Sequence, residues 1–120
     1  AESLRELNGR LAGKGADALP MNRFRPNIVV DGLDAFDEDH ADTLATDGVV
    51  LRMVKPCIRC EVPTIDQVTA VAGEEPLLTL SAYRQHATLP GIHFGMNAIV
   101  AQGAGRSLAI GADVQVEFSF

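Results

Sequence analysis

Val49-Val50-Leu51-Arg52-Met53-Val54-Lys55-Pro56-Cys57-Ile58-Arg59-Cys60 decides the fold class. Val49, Val50, Leu51, Met53 and Val54 form an almost continuous apolar run rich in β-branched residues, the pattern of a strand covered on both faces. Pro56 has no N–H for a ladder, so regular pairing is expected to stop there. Both cysteines of the chain then fall just past a strand end. Lys55 and Arg59 flank them, and neighbouring positive charge favours the thiolate, the form that binds metal or attacks.

The spacing leaves several readings open. Redox Cys-x-x-Cys pairs usually open a helix, and Glu61-Val62-Pro63-Thr64 does not read as a helix start. A structural zinc site wants four ligands, and beyond this pair the chain offers only His40, His86 and His93, scattered. On an extended chain, residues three apart point to opposite faces, which disfavours chelation of one ion by both. Two small buried thiols remain a plain alternative, and a single cysteine binding a soft metal is another.

Working outward, the remaining signals are short strands and loops. Ile28-Val29-Val30 reads as a strand, and Arg25, which precedes Pro26, should be extended. Between Arg25 and Arg52 there is no Lys or Arg, while Asp31, Asp34, Asp37, Glu38, Asp39, Asp42 and Asp47 fall there. This stretch reads as a solvated acidic loop, anchored by Ala35, Phe36 and Leu44, and it could dock a partner. Its aspartate spacing does not fit a calcium loop.

Ser3 and Glu6 fit a capping box, followed by Leu4, Leu7 and Leu11 at helical spacing and an end near Gly13. A second helix is expected from Leu77 to about His86, with Pro76 at its entrance. Leu89-Pro90-Gly91 is a turn. Residues 92–101 read as a strand with a bulge at Gly95, and Ser107 to Ile110 as a short strand. Val114, Val116, Phe118 and Phe120 alternate with polar residues, a half-buried strand. Gly103-Ala104-Gly105 lacks the strand–helix context of a nucleotide fingerprint. The fold class is therefore mainly β: a barrel or curled sheet with one or two peripheral helices.

The totals bound the rest. The chain has 120 residues, 47% apolar and 22% charged, room for one domain with a real core. A net charge of −6 argues against nucleic acid as a main partner. No apolar run is long enough to span a membrane as a helix. Two cysteines are too few to staple a secreted fold, so a reducing, cytoplasmic setting is expected. The chain opens inside a helix without an initiator Met, which suggests a fragment of a longer protein or a processed chain.

Taken in order, Arg23-Phe24-Arg25-Pro26-Asn27, Lys55-Pro56-Cys57-Ile58-Arg59-Cys60, Thr64-Ile65-Asp66, Glu75-Pro76-Leu77 with Leu80-Ser81-Ala82-Tyr83-Arg84, Phe94-Gly95-Met96-Asn97 and Ile110-Gly111-Ala112-Asp113-Val114 resemble the MOSC domain. The nearest branch is that of the mitochondrial amidoxime-reducing component and its bacterial counterparts. The resemblance implies a MOSC-type β-barrel, with N-terminal strands and an N-terminal β-barrel domain lying outside this chain. It implies a molybdenum–pyranopterin cofactor held by the second cysteine of Cys-x-Arg-Cys, here Cys60, leaving Cys57 as a neighbour. It also carries a family-level association with pyridoxal phosphate.

By the same resemblance, Arg25 and Asn27 line the cofactor. A guanidinium fork suits its phosphate, although Arg25 could instead pair with the acidic stretch. Arg59 could touch the cofactor or hold the loop. Asn97 is a cofactor-facing position or a turn residue, and Phe94 reads as core. The implied activity is two-electron reduction of small N-hydroxylated compounds, with electrons from a ferredoxin- or flavoprotein-like donor. The alternative is a module that carries sulfur as a persulfide on Cys57 or Cys60.

Overall fold

The computed structural model describes residues 1–119; Phe120, the expected last apolar position of the terminal strand, lies outside the described residues. The chain divides into two compact units, one of residues 1–35 with 58–94 and the other of residues 36–57 with 95 onward.

In the first unit, α1 spans Glu2–Gly13 and buries Leu4, Leu7 and Leu11, the stripe expected from their spacing. The capping box does not form. The helix begins two residues earlier, with Ala1 at the N-cap position, Ser3 is buried, and no side chain caps the end. Glu6 is engaged elsewhere, accepting from the Tyr83 hydroxyl at 3.0 Å and from Arg10. Arg10 lies 3.7 Å over the Tyr83 ring. Burial, and then the bond to Glu6, push the Tyr83 hydroxyl up to about 12.

The second helix, α2, is only Leu77–Leu80, much shorter than expected. Beyond it the backbone tightens into i→i−3 bonds (Ala82 N to Thr79 O, Tyr83 N to Leu80 O), and Gln85 then bridges Ile92 across the Leu89-Pro90-Gly91 turn. The residues expected to extend the helix are thus committed to an antiparallel bridge.

Lys14 ties α1 to the entrance of α2. Its Nζ lies 2.8 Å from Glu75 Oε2 and 3.2 Å from Thr79 Oγ1. Glu75 also accepts from Thr79 N at 2.9 Å and Thr79 Oγ1 at 2.8 Å. Burial raises the Glu75 carboxyl, but these donors outweigh it and hold the group below its usual value. A depressed folded value contributes stability above the unfolded value of about 4.3, lost as pH falls through the folded one. Glu75→Gln should therefore lower the denaturation midpoint at pH 7, by less than about 1 kcal/mol because the pair is partly screened. The gap from wild type should begin to narrow as pH falls below the unfolded value and close once it passes the folded one; a gap independent of pH would contradict the assignment.

The second unit is built on an antiparallel sheet. Its strands are β1 (Ala41–Thr46), β2 (Val49–Ile58), β3 (His93–Gln102) and β4 (Gln115–Phe118), in the order β3-β2-β1-β4. The mainly-β class holds as expected; among the described residues β3 and β4 lie at opposite edges, so the sheet is open and not closed into a barrel. The last part of the acidic stretch, Ala41–Thr46, is strand, not loop. β1 pairs with β2 from Thr46↔Val49 to Thr43↔Arg52, joined by Asp47-Gly48, both at positive φ (47° and 77°). That dipeptide geometry matches the twist of a two-residue hairpin.

Pro56 does not end β2, which runs on to Ile58. The last β1 partner is Arg52, so Pro56 falls where one side of the strand has no β1 neighbour, and an edge tolerates a missing N–H. Nor is the strand covered on both faces: Val54 is 49% exposed. Residues 28–30 and 107–110 are not strands; Ile28, Val29, Leu108 and Ile110 are exposed, so no packed face rewards pairing. The terminal alternation survives as β4, which pairs with β1. At Gly103 (φ 84°) a Cβ would lie 2.5 Å from Gly48 O and 2.9 Å from Val49 Cα; only glycine lets these backbones approach so closely.

Candidate functional site

The two cysteines occupy different settings. Cys57 lies within β2 and is half-buried. Cys60 lies two residues beyond the strand and is exposed. Both thiols are free. The chain leaves β2 at Ile58 and turns into a 3-10 turn at Val62–Thr64, so Cys60 sits on a connecting segment and is exposed.

That segment is fixed by Arg59. Its backbone N–H donates to Ile92 O at 2.8 Å. Its side chain donates from Nε to Phe94 O at 2.8 Å and from Nη1 to Phe24 O at 3.1 Å. The Phe24 and Phe94 rings stack with centroids 4.3 Å apart, and the guanidinium lies 5.2 Å from the Phe24 centroid. Both phenylalanines are buried, as the reading of Phe94 as core anticipates. Phe24 is the partner that residue spacing does not reveal, because its carbonyl and ring matter only once distant segments meet.

Phe24 ends a 3-10 turn, Met21–Phe24, and Arg25 caps it. Arg25 is not extended. It holds φ 47°, ψ 52°, with its N–H donating to Asn22 O at 3.1 Å. A non-glycine residue there is uncommon, the more so before proline; the cap bond and the buried Phe24 impose it. Arg25 and Asn27 are both exposed. One side chain, Arg59, therefore links the residue before Arg25 to the residue before Cys60. Asn97 lies on β3 in the second unit, half-buried, two residues after Gly95 (φ 81°).

Arg23 faces elsewhere. Its Nη1 donates to Pro63 O at 3.3 Å, and Nη2 lies 3.5 Å from Asp66 Oδ2. Backbone bonds from Thr69 and Val68 hold the Asp66 carboxyl below its usual range. Arg23, Thr64, Asp66 and Glu74 border an open groove of about 600 Å³ whose lining includes none of Arg25, Asn27, Arg59, Cys60 and Asn97. Arg84, quoted in the motif but given no role, is buried and donates from Nε to His93 O at 3.1 Å.

The sequence matches the MOSC domain over residues 1–116. The chain belongs to the MOSC domain family. Among curated proteins, this MOSC chain is 45% identical over 83 residues to mitochondrial amidoxime reducing component 2 of Macaca fascicularis, covering 68% of this chain and 24% of that protein. It is 44% identical over 84 residues to mitochondrial amidoxime-reducing component 1 of Homo sapiens, covering 69% and 24%. With the molybdenum cofactor sulfurase of Oryza sativa subsp. japonica it shares 35% over 91 residues, 70% of this chain and 11% of that one. The MOSC chain thus spans about a quarter of the length of the amidoxime-reducing relatives it matches. No helix among the described residues is long and apolar enough to cross a membrane.

Proposed function

We propose that this MOSC chain holds a molybdenum–pyranopterin cofactor through the Cys60 thiolate, and that the protein built on it reduces small N-hydroxylated compounds. The carrying observation is the exposed residue Cys60 on a segment tethered by Arg59 to the carbonyl that precedes Arg25. The donor set fits such a group. A thiolate is a soft ligand suited to a soft centre. Arg25 offers an exposed guanidinium fork for the cofactor's phosphate, and Asn27 offers a carboxamide for its pterin edge. Among the described residues no cluster of three or more His, Cys, Asp and Glu could hold a metal ion. Bare zinc would find too few donors, whereas a pterin brings its own.

When bound, the cofactor supplies two-electron chemistry: an N-hydroxylated substrate, two electrons and two protons give the N–H compound and water. The electrons come from a ferredoxin- or flavoprotein-like donor. This chain's residues bind and orient. Cys60 anchors the metal, Arg25 neutralises the phosphate, and the tethered segments fix where the sulfur sits. The names of the amidoxime-reducing relatives support the substrate class. A reducing, cytoplasmic setting fits the two free thiols. Nothing among the described residues speaks for pyridoxal phosphate, and it is not proposed.

A second reading keeps the same sulfur. The resemblance to a molybdenum cofactor sulfurase and the open Cys60 favour a carrier that holds sulfur as a persulfide. Molybdenum and pterin analysis of the protein containing this chain, with turnover of an aryl amidoxime, separates the two. Metal with N-reduction supports the enzyme. A persulfide on Cys60 without metal supports the carrier and overturns the first reading.

A further inference from the structure

Arg59 precedes Cys60 in the chain, yet its side chain points inward. Nε and Nη1 are directed at two backbone carbonyls, Phe94 O and Phe24 O, at 2.8 and 3.1 Å. These carbonyls belong to segments far apart in sequence. Phe24 O leads into the left-handed turn of Arg25, and Phe94 O lies near the start of β3. The Arg59 backbone N–H adds Ile92 O at 2.8 Å. Beneath the guanidinium lies the stacked, buried Phe24–Phe94 pair.

We propose that Arg59 is a positioning residue: its side chain clamps the Phe24 and Phe94 carbonyls and so sets the Arg25–Asn27 turn and the Cys60 segment in fixed register, rather than contacting the cofactor. This rests on the functional reading for its purpose, though the clamp itself does not need the cofactor. The chemistry requires arginine. A planar guanidinium presents Nε and Nη donors in a rigid fork, whereas lysine presents one compact ammonium on a flexible stem. Lysine keeps the charge and can satisfy a single carbonyl; the other is then left buried without its donor. The clamp also accounts for the backbone at Arg25, since a residue in a sparsely populated conformation persists only where its surroundings over-determine it.

The test uses Arg59→Lys in this chain without cofactor. Hydrogen exchange should quicken about tenfold at the Arg25 amide, which bonds Asn22 O, a loss on the scale of one net hydrogen bond. Amides in the middle of α1 should be unchanged, which also shows that the variant folds. Alkylation of Cys60 by iodoacetamide should change in rate with the Cys57 rate held. Unchanged exchange at Arg25 together with an unchanged Cys60 rate would overturn the clamp. If R59K does not fold, Arg59→Gln, which keeps an amide donor without the charge, is read the same way.

A further readout applies to protein loaded with molybdenum. There R59K should shift the Mo(V) paramagnetic resonance signal, because the sulfur is held at a different angle; an identical signal at equal metal content argues against positioning. A wild type that takes up no molybdenum sinks the functional reading alone, and the exchange and alkylation arms still decide the clamp.

Discussion

Cys60→Ala should abolish molybdenum retention and amidoxime reduction in the protein containing this chain, while Cys57→Ala keeps most of both. The asymmetry follows from where the two sulfurs lie. Cys57 is part of β2 and half-buried, whereas Cys60 is beyond the strand and exposed. A metal that gains one protein thiolate loses its only covalent anchor when that thiolate goes; losing a group that merely supports a ligand already costs about 10–100-fold, so loss of the ligand itself should cost more. Cys57→Ala removes a small, partly packed side chain; its cost falls on stability and stays near about 1 kcal/mol. Metal content per protein and initial rates measure both. Equal loss from the two variants would refute a single-ligand site. Cys60→Ser is the finer control, since a hydroxyl preserves size while replacing a soft donor by a hard one.

Leu7→Ala carries a large stability effect in the first unit. Leu7 is fully buried on α1. Truncating such a leucine loses its transfer free energy and leaves a cavity, about 2–5 kcal/mol together. Against a total stability of about 5–15 kcal/mol, that is a large share. Leu78→Ala is the matched control. Leu78 lies on α2 but is 51% exposed, so its truncation should cost under about 1 kcal/mol. Denaturant midpoints report both, and similar shifts would show that burial of the α1 stripe is not what stabilises this unit.

Some of this architecture is readable from residue order, and the reasons differ element by element. The leucine stripe of α1 is legible because helical periodicity and burial are the same fact seen twice. The strand from Val49 is legible for its β-branched run, but its length is not. Whether Pro56 can stay in a ladder depends on which side has a neighbour, and β1 supplies that neighbour only as far as Arg52. β1 itself was readable. Asp47-Gly48 between Thr46 and Val49 is a hairpin signal, masked by the acidity around it. The open sheet was not readable, since closure depends on which strands lie at the edges. For the site, the order of motifs identifies the family, and the roles of Cys60, Arg25 and Asn27 are proposed on that resemblance. The exposure of Cys60 is a tertiary outcome, and so is the aim of Arg59, whose acceptors are carbonyls that every residue possesses.

The left-handed backbone at Arg25 changes how its guanidinium can be removed cleanly. Alanine deletes the charge but keeps the torsional load, since a Cβ in that region costs about 1 kcal/mol. Glycine deletes the charge and releases the load at once. A pair of variants at one position thus isolates what the arginine does for an anion from what its main chain withstands, and the glycine form should outlast the alanine form on heating even though neither grips phosphate.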